Sequence, residues 1–311
     1  MLFFNCECMS RKNLIVVAGP TGVGKTVIAI HLAKHFGTEI ISADSRQVYL
    51  ELNIGTAKPD FNQLASVPHH LVGHVSIHEA YSAGKFESEA ITILEHLFQQ
   101  KDVVIMVGGT GMFIDAVING LDVFPEVDDS VRLTIRELYR KNGLNWLQKE
   151  VQEKDPVYFS VADIHNPNRL LRALEVCISS GKTYSGFRTG KTKKRDFETI
   201  KIFINESRDQ LYEKINNRTL KMLENGWLEE AKSVYQWKNL NALNTVGYKE
   251  LFDYLGNILS LEDAKNEIQK NTRRYAKRQI TWFANDADYT EFAPGDATKI
   301  ISFLEMILNA S

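Results

Sequence analysis

The segment Gly19-Pro-Thr-Gly-Val-Gly-Lys-Thr26 constrains this chain more than any other. It fits G-x-x-x-x-G-K-[ST], directly follows the continuous apolar run Asn13–Ala18, and opens a helical stretch. Strand, turn, then helix is the context a phosphate-binding loop requires. Its glycines let backbone N–H groups converge on an anion, and the helix N-terminus adds positive potential. Gly19, Pro20, Thr21, Gly22, Val23, Gly24, Lys25 and Thr26 are therefore candidate phosphate-binding residues. Lys25 supplies a point charge at the terminal phosphates, and the Thr26 hydroxyl is a candidate ligand for Mg²⁺. The motif leaves the phosphate compound open. Most chains carrying it are nucleotide-binding, and commonly ATP-binding, proteins.

The order of elements points to a parallel sheet. Asn13–Ala18 and Val103–Val107 are apolar runs rich in β-branched residues, as strands buried on both faces are. Glu39–Ser42 and Thr199–Ile204 read as two further strands. Helical spacing predicts helices over 26–36, 86–100, 129–142, 168–180, 209–225, 227–235 and 261–283. Strands alternating with helices predict an α/β fold, a P-loop NTPase-like parallel sheet flanked by helices. The stretch 120–198 holds no strand, and a connection of that length carries its own structure. It reads as an inserted helical module, with 11–119 and 199–311 forming the catalytic core and its helical C-terminal part. Residues 182–195 are Gly-rich with six basic side chains, and read as a mobile loop.

Composition removes other classes. Of the 311 residues, 44% are hydrophobic and 24% charged, which excludes wholesale disorder and a disulfide miniprotein. The net charge of −2 excludes a uniformly basic nucleic-acid coat but allows a local basic track. Cys6, Cys8 and Cys177 show no disulfide or zinc spacing, so a reduced, cytoplasmic setting is expected. The opening residues have too short an apolar patch for a secretory leader and read as a frayed extension, with no membrane span anywhere. No obligate protein partner is expected.

Asp44 follows the strand next in sequence to the phosphate loop, and ligands of parallel sheets sit beyond the carboxyl ends of the strands. A lone carboxylate there suits a general base, and equally suits a cap on the following turn. Thr110, in Gly108-Gly-Thr-Gly111, is either a site hydroxyl or a local turn hydroxyl. The apolar strand 103–107 ends without an acid, so a second metal ligand is missing and the ATPase and motor readings weaken.

Taken together, these segments resemble the tRNA dimethylallyltransferases (tRNA isopentenyltransferases). The resemblance rests on the phosphate loop, Ser42-Ala-Asp-Ser-Arg-Gln-Val-Tyr49, Asn53-Ile-Gly-Thr-Ala-Lys-Pro59, Val107-Gly-Gly-Thr-Gly111, Asn168-Arg-Leu-Leu-Arg-Ala-Leu-Glu-Val176, Val246-Gly-Tyr-Lys-Glu-Leu251 and Ala276-Lys-Arg-Gln-Ile-Thr-Trp-Phe283, in the family's order. It implies transfer of the dimethylallyl group of dimethylallyl diphosphate to N6 of the adenosine immediately 3′ of a tRNA anticodon (position 37), with Mg²⁺ as cofactor and diphosphate released. By motif match, Asp44 is the base, Thr110 contacts the adenine side, and Arg208 joins the phosphate loop at the diphosphate. The partner is a tRNA anticodon stem-loop, whose target base must leave its stack to be reached.

The resemblance also implies RNA contact by Ser45, Arg46 and Gln47, by Arg132, by Asn168, Arg169, Leu170, Leu171 and Arg172, and by Gly247, Tyr248 and Lys249. Lys270, Arg273, Arg274, Lys277 and Arg278 recur at helical spacing and form a basic stripe. Arg274, Lys277 and Arg278 are its candidate tRNA contacts; the alternative is a solvated helix face. Arg132, Arg169 and Arg172 alternatively form structural salt bridges within the helices. Phe113 stands where many relatives carry Tyr, and 285–311 holds no Cys/His pattern such as the zinc finger of eukaryotic relatives. A small-molecule P-loop kinase would share the cradle but need ATP. A prenyltransferase for free adenine nucleotides would share the cradle and Asp44 but leave the inserted arginines idle. A non-catalytic RNA-binding protein would leave Lys25 and Asp44 unexplained.

Overall fold

The structure is a computed structural model describing residues 11–310. These residues form two compact units, one of 11–118 with 194–310 and one of Asn119–Lys193. In chain order the first unit contains β1 (Asn13–Ala18), α1 (Lys25–His35), β2 (Ile40–Ala43), α2 (Phe61–Ser66), β3 (His69–His70), α3 (Ala83–Leu97), β4 (Val103–Gly108) and α4 (Gly111–Asn119, whose last residue opens the second unit). The second unit contains α5 (Asp129–Lys154), α6 (Pro156–Val161), α7 (Pro167–Ser180) and α8 (Tyr184–Phe187). The first unit resumes with β5 (Glu198–Ile204), α9 (Arg208–Glu224), α10 (Trp227–Val234), α11 (Tyr248–Leu255), α12 (Leu261–Ala284), β6 (Thr290–Phe292) and α13 (Ala297–Ala310).

Among the described residues the sheet has six parallel strands in the order β3-β2-β4-β1-β5-β6. β1 and β4, the most apolar runs, lie inside and are buried along their whole length. Because side chains alternate along a strand, Ile15 and Val17 face one layer and Leu14, Val16 and Ala18 the other. The first layer packs Ile28 and Leu32 of α1, Leu211 and Ile215 of α9, and Ile300 and Leu304 of α13. The second packs Phe86, Ala90 and Leu94 of α3 with Phe113, Ile114 and Val117 of α4. Phe113 is stacked on Phe86 at 4.3 Å between centroids, so a phenylalanine satisfies this position as core. A third cluster joins Val48 and Leu52 to Trp227, Tyr248, Leu251 and Ile268 and supports one wall of the site.

The four expected strands are present, and β3 and β6 are added at the two edges. The C-terminal stretch folds as β6 and α13, with α13 completing the core against α1. In the second unit α5 breaks at Gly143 (φ 77°), one residue past the expected helix end, and then continues to Lys154. The second unit ends at Lys193 rather than 198. The reason is Arg195, which donates to the carbonyls of Val117 at 2.8 Å and Ala116 at 2.9 Å and pairs with Glu87 at 2.8 Å, fastening 194–198 to the first unit. The stretch 182–195 makes local contacts. It contains α8, Thr189 is bonded to Asp122, and the Lys193 N–H donates to the Asn119 carbonyl. The expected frayed extension lies outside the described residues. No helix among the described residues is long and apolar enough to cross a membrane.

Candidate active site

The carboxyl ends of β1, β2 and β4 deliver three loops to one cleft: the phosphate loop, the turn holding Asp44, and the turn at Gly109, whereas the next residue, Thr110, does not line it. Close strand approach makes this possible. A Cβ on Gly108 would lie 2.1 Å from the Ala43 carbonyl oxygen, so only glycine lets β4 end beside β2. The Thr110 N–H then donates to that carbonyl at 3.2 Å, and the Ser45 N–H donates to Thr110 Oγ1 at 3.1 Å.

Two cavities open here. One, of about 370 Å³, is lined by the phosphate loop, Lys25, Thr26, Lys58 and His69. The other, of about 490 Å³, is lined by Ser45, Arg46, Trp227, Lys249, Glu250 and Arg278. They share the wall formed by Thr21, Asp44, Thr56, Ala57, Arg218 and Tyr275. Asp44 thus stands between a phosphate cradle and a second, roomier compartment.

Asp44 takes the capping role its position suggests. Its Oδ1 caps the turn, accepting from the N–H groups of Arg46 at 2.8 Å and Gln47 at 3.2 Å. Its Oδ2 accepts no hydrogen bond among the described residues, which leaves one carboxylate oxygen for the cleft. Burial lowers the Lys25 ammonium to about 8; Asp44 opposes that shift and Arg218 reinforces it. Lys25 Nζ donates to the Pro20 carbonyl within its own loop at 2.8 Å. Burial first, then the Asp44 charge, raise the Tyr275 phenol to about 12, so it is a neutral hydroxyl at ordinary pH. That hydroxyl is hydrogen-bonded with the Thr110 side chain. The Thr26 hydroxyl, in the first turn of α1, has no hydrogen-bond partner among the described residues and lines the phosphate cavity.

Several sequence assignments change. Arg208 does not line either cavity: it is exposed at the start of α9, and its Nε donates to the Tyr212 hydroxyl at 3.0 Å while its guanidinium covers that ring. Arg218, ten residues later, takes the position beside Asp44 and donates to the Thr21 hydroxyl at 2.8 Å. Gln47 lines the phosphate cavity and braces the 53–59 segment, donating to the carbonyls of Thr56 and Ala57 at 3.2 and 3.0 Å. Arg46 holds the 241–244 segment through the carbonyls of Asn241 and Ala242, although it also lines the larger cavity. Tyr248 is fully buried with its hydroxyl on Glu230, and Gly247 is buried as the cap of α11; of that trio only Lys249 is exposed in the larger cavity.

In the second unit Leu170 and Leu171 are interior side chains of the cluster with Ile135, Leu147 and Val151, while Asn168 and Arg169 are exposed. Arg172 covers the Phe124 ring. Arg132 follows the ion-pair alternative, reaching Asp129 at 2.9 Å and the buried Glu175 at 3.7 Å. The basic stripe of α12 also divides. Lys270 pairs with Glu267 at 2.8 Å and Arg273 donates to Asn216 at 2.7 Å. Arg274, Lys277 and Arg278 are exposed and pair with no acid among the described residues.

Sequence reasoning missed Arg218, Tyr275, Gln279 and Glu230. Gln279, buried on α12, accepts from the Thr21 N–H and donates to the Gly109 carbonyl, each at 2.8 Å. Glu230 accepts from the consecutive N–H groups of Asn53, Ile54 and Gly55 at 2.8–2.9 Å and so anchors the Ile54-Gly-Thr-Ala-Lys-Pro59 wall. Gln279 falls within the Ala276–Phe283 motif, where spacing alone gives it no role; the other three sit singly on helices, where one polar residue carries no periodic signal.

The IPP transferase family model matches residues 47–286, which hold Thr110, Arg218, Tyr275 and Gln279. The tRNA dimethylallyltransferase of Christiangramia forsetii is 48% identical over 95% of this chain and 98% of its own length. The tRNA dimethylallyltransferase 1 of Bacteroides fragilis is 45% identical over 96% of this chain and 99% of its own. The crystal structure of the full-length tRNA isopentenylpyrophosphate transferase from Bacillus halodurans superposes with a TM-score of 0.71 at 32% identity, covering 96% of this chain and 98% of that one. A eukaryotic dimethylallyltransferase acting on tRNA superposes with a TM-score of 0.78 at 27% identity, covering 92% of this chain and 75% of that one. With the phosphate loop, the Asp44 wall and the α12 motif all inside these near-full-length matches, the chain belongs to the tRNA dimethylallyltransferase (IPP transferase) family.

Proposed function

We propose that this cleft transfers the dimethylallyl group of dimethylallyl diphosphate to N6 of the adenosine immediately 3′ of a tRNA anticodon. The observation that carries the reading is the shared wall: Asp44 stands where a cavity built on a phosphate loop meets a second cavity. The diphosphate lies on the loop amides, Lys25, the Thr21 hydroxyl and Arg218, with its prenyl C1 directed at the wall. The extruded adenine enters from the larger compartment past Arg46, Lys249 and Arg278. As N6 bonds to C1, the C1–O bond breaks and its electron pair leaves with the diphosphate. Asp44 Oδ2 takes the N6 proton, which removes the positive charge that would otherwise build on the amine. Tyr275, hydrogen-bonded with the Thr110 side chain, supplies a neutral hydroxyl on that shared wall.

Mg²⁺ favours few protein oxygens together with substrate phosphates. The unpartnered Thr26 hydroxyl and the single nearby carboxylate fit that habit, and no cluster of three acid, His or Cys ligands exists among the described residues. When bound, the ion would neutralise charge on the departing diphosphate. Arg274, Lys277 and Arg278 on α12, with Arg169 and Arg172 on α7, are the cations for tRNA phosphates. A tRNA-modifying role accords with a cytoplasmic setting.

The test is labelled dimethylallyl diphosphate offered with unmodified tRNA, AMP and Mg²⁺, with and without ATP. Label in tRNA without ATP is the expected result. Label in AMP would instead select the free-nucleotide prenyltransferase, and phosphate transfer requiring ATP the kinase.

A further inference from the structure

The phosphate loop contains Gly19, Gly22 and Gly24, and chains that permissive lose more conformational entropy on ordering than others. Something outside the loop must hold its shape. Among the described residues, the only side-chain hydrogen bond from outside the loop to the backbone of residues 20–24 comes from Gln279: the Thr21 N–H donates to its Oε1 at 2.8 Å. Gln279 Nε2 donates to the Gly109 carbonyl at 2.8 Å. One amide orientation satisfies both bonds, because only its oxygen accepts and only its nitrogen donates. Gln279 is 6% exposed, so neither bond is traded easily for water. Gly109 is matched to it: a Cβ there would come 2.3 Å from Gln279 Nε2.

We propose that Gln279 is a positioning residue for the phosphate cradle, fastening the Thr21 amide to the Gly109 turn so that the loop is already shaped for a diphosphate. The Thr21 hydroxyl is thereby presented to Arg218, and two ends of the cradle become one unit with α12. The helix that offers Arg274, Lys277 and Arg278 on its exposed face braces the cradle from its buried one. The inference rests on the diphosphate reading above.

The experiment is calorimetric titration of the protein with inorganic pyrophosphate and Mg²⁺, for wild type, Gln279→Met and Gly109→Ala. Methionine keeps length and volume but makes neither bond; alanine at 109 displaces the amide while residue 279 stays glutamine. Each variant should bind pyrophosphate about tenfold more weakly, the scale of one or two missing buried hydrogen bonds. The KM for dimethylallyl diphosphate should rise by the same factor with kcat changed far less, the signature of weakened ground-state binding. tRNA affinity should stay within about twofold of wild type, since phosphate contacts on the outer face dominate it. Wild-type pyrophosphate affinity in both variants would overturn the role of Gln279. So would a parallel loss of tRNA affinity, which would make Gln279 a mere support of α12. If Gln279→Met fails to fold, Gly109→Ala decides alone. A wild-type protein that does not bind pyrophosphate overturns the diphosphate reading itself, and this inference with it.

Discussion

Arg218 reaches the Thr21 hydroxyl at 2.8 Å from the wall between the two cavities, whereas Arg208 turns away onto Tyr212. The pair separates two accounts of which arginine meets the diphosphate. Arg218→Ala should raise the KM for dimethylallyl diphosphate by roughly 10- to 100-fold, the worth of one charge-assisted contact. Arg208→Ala should leave KM within about twofold, because an exposed arginine on a neighbouring ring contributes little. Steady-state kinetics of the two variants side by side checks this, and the reverse ranking would restore Arg208.

Lys25 supplies the pH test. Burial lowers its pKa to about 8, so in the ligand-free protein the cation is present below that pH and lost above it. Affinity for inorganic pyrophosphate should therefore fall as pH rises from 7 through about 9. Lys25→Arg should remove that dependence even if its affinity is lower throughout, because a guanidinium stays protonated over the range. Titrations at several pH values check it; the same slope in both proteins would assign the fall to another group.

The α12 stripe predicts unequal effects from similar residues. Arg274→Ala with Lys277→Ala should weaken tRNA binding and reduce the log–log salt slope by about two units, one for each cation removed from a phosphate. Lys270→Ala should do neither to that extent, since Lys270 is already paired with Glu267 at 2.8 Å. Equal slopes in all three proteins would make the stripe a solvated face and move the RNA path to Arg169 and Arg172.

Glu230 predicts a stability effect. Glu230→Ala strands three consecutive N–H groups and the Tyr248 hydroxyl, so the cost should be on the order of 3 kcal/mol. Chemical denaturation measures it. Glu230→Gln, which retains one acceptor oxygen, should cost less. A loss below about 1 kcal/mol in Glu230→Ala, the worth of a single ordinary hydrogen bond, would mean that the 53–55 segment is held by other contacts.

The central strands and the phosphate loop are legible in the sequence because burial on both faces demands unbroken apolar runs, and because glycine spacing and lysine carry a backbone meaning. The edge strands are not: two residues at His69–His70 and three at Thr290–Phe292 are too few to display a period of two. Motif matching favours Arg208 over Arg218 because Arg208 opens a recognisable segment. The two are ten residues apart on α9, about 15 Å along its axis, and only the later one reaches the cleft. Leu170 and Leu171 stand with Arg169 and Arg172 in one RNA-facing string by motif, yet a helix sends residues three apart to one face and those between them elsewhere. The arginines stay outward and the leucines fill the core. Tyr275 and Gln279 lie near the stripe cations in sequence, and only the packing of α12 separates the residues that face the cleft from those that face solvent.

The most direct measurement is single-turnover transfer from labelled dimethylallyl diphosphate to unmodified tRNA, with the product digested to nucleosides, for wild type and Asp44→Asn. Wild type should place the label on N6 of the adenosine 3′ of the anticodon without ATP. Asp44→Asn should slow the step by about 10²-fold or more, the scale of a missing general base, while binding tRNA as wild type does. Label at another position, or an Asp44→Asn rate equal to wild type, would contradict the account.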